Sequence, residues 1–335
     1  MNDTPGLPII CVTGANGFVG RHLLRLLTSR GHTVRAAVRL AMAPILPPAE
    51  DIHYQQSACG NVGPDTDWSA FLEGADCVVH LAARVHVMHD SHPDPESAFR
   101  EVNVLGTKRL AEQAADAGVR RLVFVSTAKV NGEGRAAPYT PADAPAPDDA
   151  YARSKHQAEM ALAEVCARTG LECVIVRPPL VYGPGVGANF LRLMRAVDNG
   201  LPLPLGAIHN RRSLLFSGNL ADVLATCAAH PNAAGHTFLA SDGEDVSTPD
   251  LIRRIARALG RRARLWNIPP SLLALAAALT GRGPAIRRLT GSLAVDASAL
   301  RDGIGWTPPF SLDQGLAETA DWFIRSRRMH PGARQ

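Results

Sequence analysis

A glycine-rich turn near the start of the chain restricts the fold more than any other feature. Residues 8–13 form an apolar run that predicts a buried strand, and residues 21–29 have the periodicity of a helix. The turn between them has the spacing G-x-x-G-x-x-G, which lets a pyrophosphate approach the backbone at the helix N-terminus. This context favours a nucleotide-binding unit over an isolated tight turn. The expected cofactor contacts in the turn are Gly14, Asn16, Gly17, Phe18, Val19 and Gly20.

Strands and helices continue to alternate after the turn. Strands are predicted at 32–38, 51–57, 77–83, 121–126 and 171–176, with helices at 68–72 and 99–117. The alternation predicts an α/β fold, a doubly wound parallel Rossmann sheet that binds ligands at the carboxyl ends of its strands.

The sequence also predicts how the chain is divided. We expect a dinucleotide-binding domain over residues 6–180, with a strand and a helix from residues 213–245 returning to its sheet. A smaller, mixed substrate-binding region should cover residues 181–325. There Thr248 is expected to cap a helix, and the last helix is expected at 312–323. Residues 326–335 are expected to be a flexible tail.

Arg39 follows the second predicted strand and bears on the choice of cofactor. A NAD site usually has an acidic residue near this point to hold the ribose 2′-hydroxyl, whereas an arginine accommodates a 2′-phosphate. The sequence therefore favours NADP, with NAD as the alternative if Arg39 is only a surface residue.

Tyr151 and Lys155 are the candidate catalytic pair. On a helix they lie one turn apart on the same face. A phenol with a pKa near ~10 exchanges protons poorly at neutral pH, and a nearby cation favours the phenolate. The pair is predicted to be a general acid/base, although the same spacing occurs on ordinary exposed helices. Pro147 and Asp149 predict that the helix starts just upstream.

Composition excludes several classes of protein. A content of 46% hydrophobic and 20% charged residues predicts a folded core, not general disorder. With a net charge of +4 and no basic run outside the last residues, we expect no nucleic-acid partner. The apolar stretch at 271–280 is too short to span a bilayer, so we expect a buried helix there and no membrane partner.

The cysteines and histidines complete this picture. Six cysteines without a C-x-x-C pair, and a start without a secretory signal, predict buried reduced thiols in the cytoplasm. His86, His89 and His92 are three histidines in seven residues, but their spacing matches no metal-ligand pattern and prolines follow. We therefore predict no metal site.

The motifs, taken in order, resemble the extended short-chain dehydrogenase/reductase superfamily. The glycine turn, Asn103, Ser126-Thr127 and Tyr151-x-x-x-Lys155 carry this resemblance over about three quarters of the chain. Residues 80–83, which include Leu81, Ala82 and Ala83, are similar to a motif near the nicotinamide ribose. Residues 177–184, which include Pro178, are similar to the passage into the sugar-nucleotide domain. The chain is most similar to bacterial nucleotide-sugar 4-epimerases and to 4-keto-reductases that form UDP-N-acetylquinovosamine for surface polysaccharides.

The resemblance implies a role for each matching residue. Tyr151 would exchange a proton with the sugar C4 oxygen, and Lys155 would bind the nicotinamide ribose and lower the pKa of Tyr151. Thr127 would bond the same oxygen, with Ser126 as the competing candidate. Asn103 is placed with the catalytic residues. Asn189 and Arg212 would bind the UDP. Lys129 is a further candidate substrate contact, with a solvated loop lysine as the alternative.

One departure from the superfamily narrows the reaction. Dehydratases of the superfamily carry an Asp-Glu pair after the catalytic threonine, whereas this chain has Ala128 and Lys129. These cannot perform that acid/base step, so a dehydratase is not expected.

Three functions remain. The leading hypothesis is an NADPH-dependent reductase of a UDP-4-keto-6-deoxy-N-acetylhexosamine, which Arg39 favours. The alternative is a UDP-glucose or UDP-N-acetylglucosamine 4-epimerase with tightly bound NAD. The third is a nucleotide sensor, although a sensor has no need of an intact proton-transfer set. The resemblance also implies a homodimer, which no residue in the sequence fixes.

Overall fold

The computed structural model describes residues 8–40, 44–46, 54–85, 94–135, 137–273 and 289–329. Apolar runs form the buried strands, as expected from their pattern. The strands in this part of the chain are β1 Ile9–Thr13, β2 Thr33–Val38, β3 Tyr54–Ala58, β4 Cys77–His80, β5 Arg121–Val125, β6 Glu172–Arg177, β7 Leu180–Tyr182, β8 Arg212–Phe216, β9 Thr237–Leu239 and β10 Asp245–Val246.

The helices join these strands. In the same ranges they are α1 Phe18–Ser29, α2 Ser69–Leu72, α3 Pro95–Phe99, α4 Gly106–Asp116, α5 Ala150–Thr169, α6 Ala188–Asp198, α7 Ser217–Ala229, α8 Thr248–Ala258, α9 Ser298–Ile304 and α10 Leu312–Met329. A π-helical turn, Arg100–Leu105, joins α3 to α4, and short 3₁₀ turns occur at Ala128–Asn131 and Pro231–Ala233.

The main sheet has the predicted parallel architecture. Seven strands pair in the order β3-β2-β1-β4-β5-β6-β9, and every pair is parallel. Helices α1 and α7 cover one face, where Leu23 and Leu27 pack in one buried cluster with Leu220 and Leu224. On the other face α4 and α5 contribute Leu110 and Leu162 to a second cluster. The α/β Rossmann prediction is confirmed.

A three-stranded mixed sheet, in the order β10-β8-β7, belongs to the second region. Strand β8 was predicted to return to the main sheet, and this is wrong because it pairs with β7 and β10. The part of the prediction that holds is the helix after it, since α7 packs against α1, and β9 adds the seventh strand to the main sheet. The apolar pattern identified a buried strand but not its partner.

Several boundaries differ from the predictions. The long helix at 99–117 is interrupted by the π-helical turn, and the cap of α8 is Ser247, whose side chain accepts from the Asp250 amide, instead of Thr248. Helix α10 extends to Met329, so the first residues of the predicted tail are helical. The predicted helix at 271–280 lies mostly outside the described residues.

The cysteine prediction also needs a correction. Cys166 and Cys173 are joined by a disulfide across the turn between α5 and β6, whereas all six cysteines were expected to be thiols. Their positions on either side of a tight helix-to-strand turn bring the two side chains together. The other four remain free, and burial raises the pKa of the Cys11, Cys77 and Cys227 thiols to about 12.

Candidate active site

The glycine turn connects β1 to α1 at the carboxyl edge of the main sheet. Gly14 has a φ of +65°, and a Cβ there would lie 2.8 Å from the backbone nitrogen of Ala82. The Thr13 hydroxyl accepts hydrogen bonds from the Leu81 and Ala82 amides at 3.2 and 3.1 Å. The segment after β4 therefore lies directly against the turn, and only glycine fits at position 14. Ala83 follows in the same segment.

The N-terminus of α1 has the properties of an anion site. Its cap is Gly17, which offers no side-chain acceptor, and the first turn contains no acidic residue. The amides of the first turn are thus not satisfied by a side-chain cap, and the helix dipole favours a negative group there. Phe18 and Val19 are half-buried behind it, and Asn16 and Gly17 are exposed. This end of the helix fits the diphosphate of a dinucleotide.

Helix α5 starts where the sequence predicted. Asp149 is its cap, and the carboxylate accepts from the Ala152 amide at 2.7 Å. The same carboxylate forms an ion pair with Lys129 at 2.9 Å, and Lys129 lies 3.4 Å from Glu133. Lys129, predicted as a substrate contact, is therefore engaged by two carboxylates of the protein.

Tyr151 and Lys155 do not have the electrostatics that the sequence predicted. Burial, and secondly the charge of Asp149, raise the pKa of Tyr151 to about 12. Burial lowers the pKa of Lys155 to about 7, and the charge of Glu159 raises it in part. The ammonium of Lys155 lies 3.8 Å from the ring centroid of Phe124. The predicted lowering of the Tyr151 pKa by Lys155 is wrong for the protein's own groups, because a buried phenolate is disfavoured and Asp149 repels it.

Ser126 and Thr127 follow β5 at the same edge. The Thr127 hydroxyl accepts from the Lys129 amide at 3.3 Å and caps the short 3₁₀ turn. The Ser126 hydroxyl is buried and has no hydrogen-bond partner in the described part of the chain. A buried hydroxyl without a partner is costly, which fits a role toward a bound molecule. The carbonyl of Pro178, after β6, accepts from the Ala128 amide at 2.8 Å.

Asn103 is a positioning residue in this structure. Its amide group accepts from the Arg84 amide at 2.8 Å and donates to the Arg84 carbonyl at 3.0 Å. It also donates to the Ser154 hydroxyl at 2.9 Å, and that hydroxyl donates to the Tyr151 carbonyl at 2.7 Å. The side chain of Asn103 therefore ties α5 to the segment after β4, and its placement with the catalytic residues stays a prediction.

A buried histidine, His80, extends this network; the sequence analysis included it in the motif at residues 80–83 but gave it no role. His80 lies 2.6 Å from the Thr13 hydroxyl and 3.0 Å from the Thr107 hydroxyl. Because the Thr107 hydroxyl donates to the Asn103 carbonyl at 2.7 Å, His80 Nε2 must carry the proton and Nδ1 must accept. Burial, and secondly the charge of Lys155, lower the pKa of His80 to about 3. The ring is therefore neutral and connects β4 to β1 through Thr13 and to α4 through Thr107.

A second missed group joins α5 to β6. The guanidinium of Arg177 bonds Glu159 through two contacts of 2.9 and 2.5 Å, and both side chains are less than a tenth exposed. Arg177 also donates to Asn131 at 3.0 Å. Arg177 directly precedes Pro178, so this pair holds α5 against the carboxyl end of β6. Nothing in the sequence spacing marks the pair, because the partners lie on different elements.

The predicted substrate contacts lie in the second region. Asn189 is exposed in the first turn of α6 and accepts from Arg192 at 3.4 Å. The loop before α6 packs on the dinucleotide domain, where the Pro184 carbonyl lies 2.8 Å from the His22 ring. Arg212 donates to the Gly291 carbonyl at 2.9 Å, and burial lowers its pKa. Arg212 is half-buried.

Arg39 comes directly after β2 and is exposed. This is the place predicted from the sequence. An arginine at this position can contact the adenosine ribose, but the position alone does not distinguish a 2′-phosphate from a 2′-hydroxyl.

No group of three or more metal-binding side chains occurs in the described ranges. His86, His89 and His92 lie outside those ranges. No helix in the described part of the chain is long and apolar enough to cross a membrane.

Comparisons with known proteins agree with this geometry. The sequence model of the NAD dependent epimerase/dehydratase family matches residues 10–240. A UDP-glucose 4-epimerase of Vibrio cholerae is 42% identical over 321 residues, covering 95% of this chain and 96% of the relative. The Bordetella bronchiseptica enzyme WbmG, solved with NAD, superposes with a TM-score of 0.75 at 20% identity, covering 97% and 96% of the two chains. A Thermotoga maritima UDP-glucose 4-epimerase, solved with UDP-glucose, superposes with a TM-score of 0.74 at 19% identity, covering 95% and 99%. At these identities the two solved structures support the fold alone.

Proposed function

The chain belongs to the NAD-dependent epimerase/dehydratase family, and we propose that it is a UDP-hexose 4-epimerase. The observation that carries this proposal is the 42% identity to a UDP-glucose 4-epimerase over nearly the whole of both chains. The match spans the second region as well as the dinucleotide-binding domain, so it includes the part expected to hold the sugar nucleotide.

The residues at the carboxyl edge of the sheet suit this reaction. Tyr151 would accept the proton of the sugar C4 hydroxyl and return it to the same oxygen when the ketone is reduced. Thr127, or the partnerless hydroxyl of Ser126, would hold that oxygen during both steps. A bound nicotinamide cofactor would supply the hydride acceptor and donor at C4. Lys155 would hold the nicotinamide ribose, for which its ammonium must leave the Phe124 ring.

The cofactor would lie across the glycine turn. Its diphosphate would meet the N-terminus of α1, and its nicotinamide end would lie near Leu81, Ala82 and Pro178. The UDP would lie toward α6 and β8, where Asn189 and Arg212 are the proposed contacts. These assignments extend the geometry by the roles that the family resemblance implies.

A 4-keto-reductase that uses NADPH is the second candidate. The exposed position of Arg39 directly after β2 favours it, because a guanidinium there can bind a 2′-phosphate. A reductase must release its oxidised cofactor after each turnover, whereas an epimerase regenerates its cofactor in place. The homodimer and the place in surface polysaccharide synthesis remain predictions from the resemblance.

One experiment separates the two candidates. Protein purified without added nucleotide is denatured, and its supernatant is assayed for NAD while intact protein is incubated with UDP-glucose or UDP-N-acetylglucosamine. The epimerase proposal expects released NAD and interconversion of the C4 epimers without added reductant. Absence of interconversion, together with consumption of NADPH by a UDP-4-keto-6-deoxy-N-acetylhexosamine, would replace it with the reductase. Arg39→Asp then tests the cofactor: a reductase that reads the 2′-phosphate here should shift toward NADH.

A further inference from the structure

A dense group of arginines lies at the end of α8, away from the candidate active site. Six of the twelve residues from 253 to 264 are arginines and none is acidic. Arg253, Arg257 and Arg261 form one exposed row: the first two lie one turn apart on α8, which ends at Ala258, and Arg261 follows just beyond the helix and lines the same depression. The opposite side of α8 is buried through residues such as Ile252 and Ile255. The row therefore faces solvent, and we call it, together with Arg262, Arg264 and Trp266, the arginine face.

Most of these charges are not balanced by the protein. Within the described ranges Arg253, Arg257 and Arg262 form no ion pair. Arg261 bonds Asp198 at 3.0 Å, and this carboxylate is shared with Arg327. Like charges at a spacing of four repel each other and destabilise a helix slightly. Apart from the ion pair of Arg261 with Asp198, the row has no balancing charge within the described ranges, and an anionic partner would relieve the repulsion between Arg253 and Arg257.

An exposed aromatic side chain adjoins the row. Leu265 pairs with Leu203 and packs against the second region's core, and Arg264 and Trp266 stand on either side of it. Neighbouring residues of an extended segment point to opposite sides, so Arg264 and Trp266 point outward. Trp266 is 60% exposed. Leu201 is 51% exposed, and its neighbour Gly200 lies beside the Arg264 guanidinium.

The exposed arginines and the adjoining Trp266 together indicate the kind of partner. We propose that the arginine face binds the surface of a bilayer that contains anionic phospholipid. The guanidinium groups would bind headgroup phosphates along a depression of about 650 Å³ that Arg253, Arg257, Arg261 and Arg262 line. The indole of Trp266 suits the boundary between headgroups and acyl chains. The exposed aliphatic Leu201 also suits that boundary, whereas a single-stranded nucleic acid would need further aromatic side chains for stacking.

The test uses the full chain and vesicles of phosphatidylcholine, alone or mixed with phosphatidylglycerol. Co-sedimentation should show binding to the mixed vesicles that weakens as salt increases, and little binding to the neutral vesicles. The double variant Arg253→Glu/Arg257→Glu should bind at least about 25-fold more weakly, taking about fivefold for each arginine removed. Arg25→Glu, which reverses an exposed arginine on α1, is the matched control and should bind like the wild type.

Fluorescence adds a second measurement at the same surface. Mixed vesicles should shift the tryptophan emission of the wild type to shorter wavelength, and the shift should be absent in Trp266→Phe. The substituted arginines are exposed, and their replacement should leave the urea unfolding midpoint near that of the wild type. The proposal is overturned if binding does not depend on phosphatidylglycerol, if the double variant binds like Arg25→Glu, or if the face prefers single-stranded RNA at equal salt.

Discussion

Replacement of Glu159 by glutamine tests how helix α5 is held against strand β6. Glu159 lies one turn after Lys155 on α5 and forms the two-contact ion pair with Arg177 at the end of β6. Glutamine has nearly the same shape, so packing is preserved while the negative charge is removed. The Arg177 guanidinium would keep neutral acceptors, the Asn131 side-chain oxygen at 3.0 Å and the amide oxygen of the new glutamine, but it would lose its opposite charge.

The expected loss of stability follows from burial. The side chains of Arg177 and Glu159 are only 7% and 6% exposed, so water cannot solvate the Arg177 guanidinium once the carboxylate is removed. Removing one partner of such a pair leaves an uncompensated buried charge and costs about 3–5 kcal/mol. The free energy of unfolding of Glu159→Gln should fall by this amount. The control is Glu112→Gln, because Glu112 pairs with Arg168 at a surface where the side chains are 35% and 62% exposed. Its loss should stay below about 1 kcal/mol.

The assay is urea unfolding followed by circular dichroism, with the double variant Glu159→Gln/Arg177→Met completing a thermodynamic cycle. Because the double variant leaves no buried charge, it should recover much of the stability lost by Glu159→Gln. A loss for Glu159→Gln no larger than that for Glu112→Gln would refute the argument that burial makes this pair structurally important. Glu159→Gln should also lower the pKa of Lys155 further, since the Glu159 charge raises it.

Three further predictions concern the site itself. Tyr151→Phe should abolish epimerisation and leave NAD affinity nearly unchanged, and substantial residual turnover would remove Tyr151 from the acid/base role. Gly14→Ala should weaken NAD binding in calorimetry at least about tenfold, because its Cβ would lie 2.8 Å from the Ala82 nitrogen. Gly118→Ala, at a φ of +75° with nothing within 4 Å, should lose stability but not affinity, and equal affinities in the two variants would contradict the steric reasoning. Folding lowers the pKa of Lys155 from 10.5 to about 7. Between these two pH values Lys155 therefore carries a proton in the unfolded chain and has lost it in the folded chain. The free energy of unfolding should therefore rise from about pH 7.5 to pH 9, by at most about 1.4 kcal/mol per pH unit, and Lys155→Met should remove that rise.

The sequence predicted the main sheet well because its strands are short apolar runs between turns. It was less accurate where strand ends depend on neighbouring elements. Strand β4 was expected to continue to Ala83, but it ends at His80: the Leu81 amide still bonds the Thr13 carbonyl of β1, and the Leu81 and Ala82 amides both bond the Thr13 hydroxyl. The π-helical turn at Arg100–Leu105 has nearly the periodicity of an α-helix, so the apolar pattern could not reveal it.

The site was predictable to the extent that its residues follow local motifs. The glycine turn, the residues after β5 and the start of α5 meet at one sheet edge, as expected for a parallel sheet. The arginine face was overlooked because the net charge of +4 averages over the chain, and the expectation of no membrane partner considered only whether an apolar stretch could span a bilayer. Asp149 was read correctly as part of the helix start, but its charge was not weighed against Tyr151.

The charge environment of Lys155, which lies on helix α5, depends on strands β4 and β5. The register of β4 and β5 places His80 opposite Phe124, and the two rings stack with centroids 5.7 Å apart. The ammonium of Lys155 lies over the Phe124 ring, so a histidine, a phenyl ring and a lysine are in sequential contact. A protonated His80 would add a second buried positive charge beside Lys155, and the low pKa of His80 avoids this. A shift of one residue in that register would move Phe124 to the other face of the sheet and deprive Lys155 of its contact. The Tyr-x-x-x-Lys motif therefore supplies the proposed reacting groups, while the pairing of β4 with β5 sets the charge environment of Lys155.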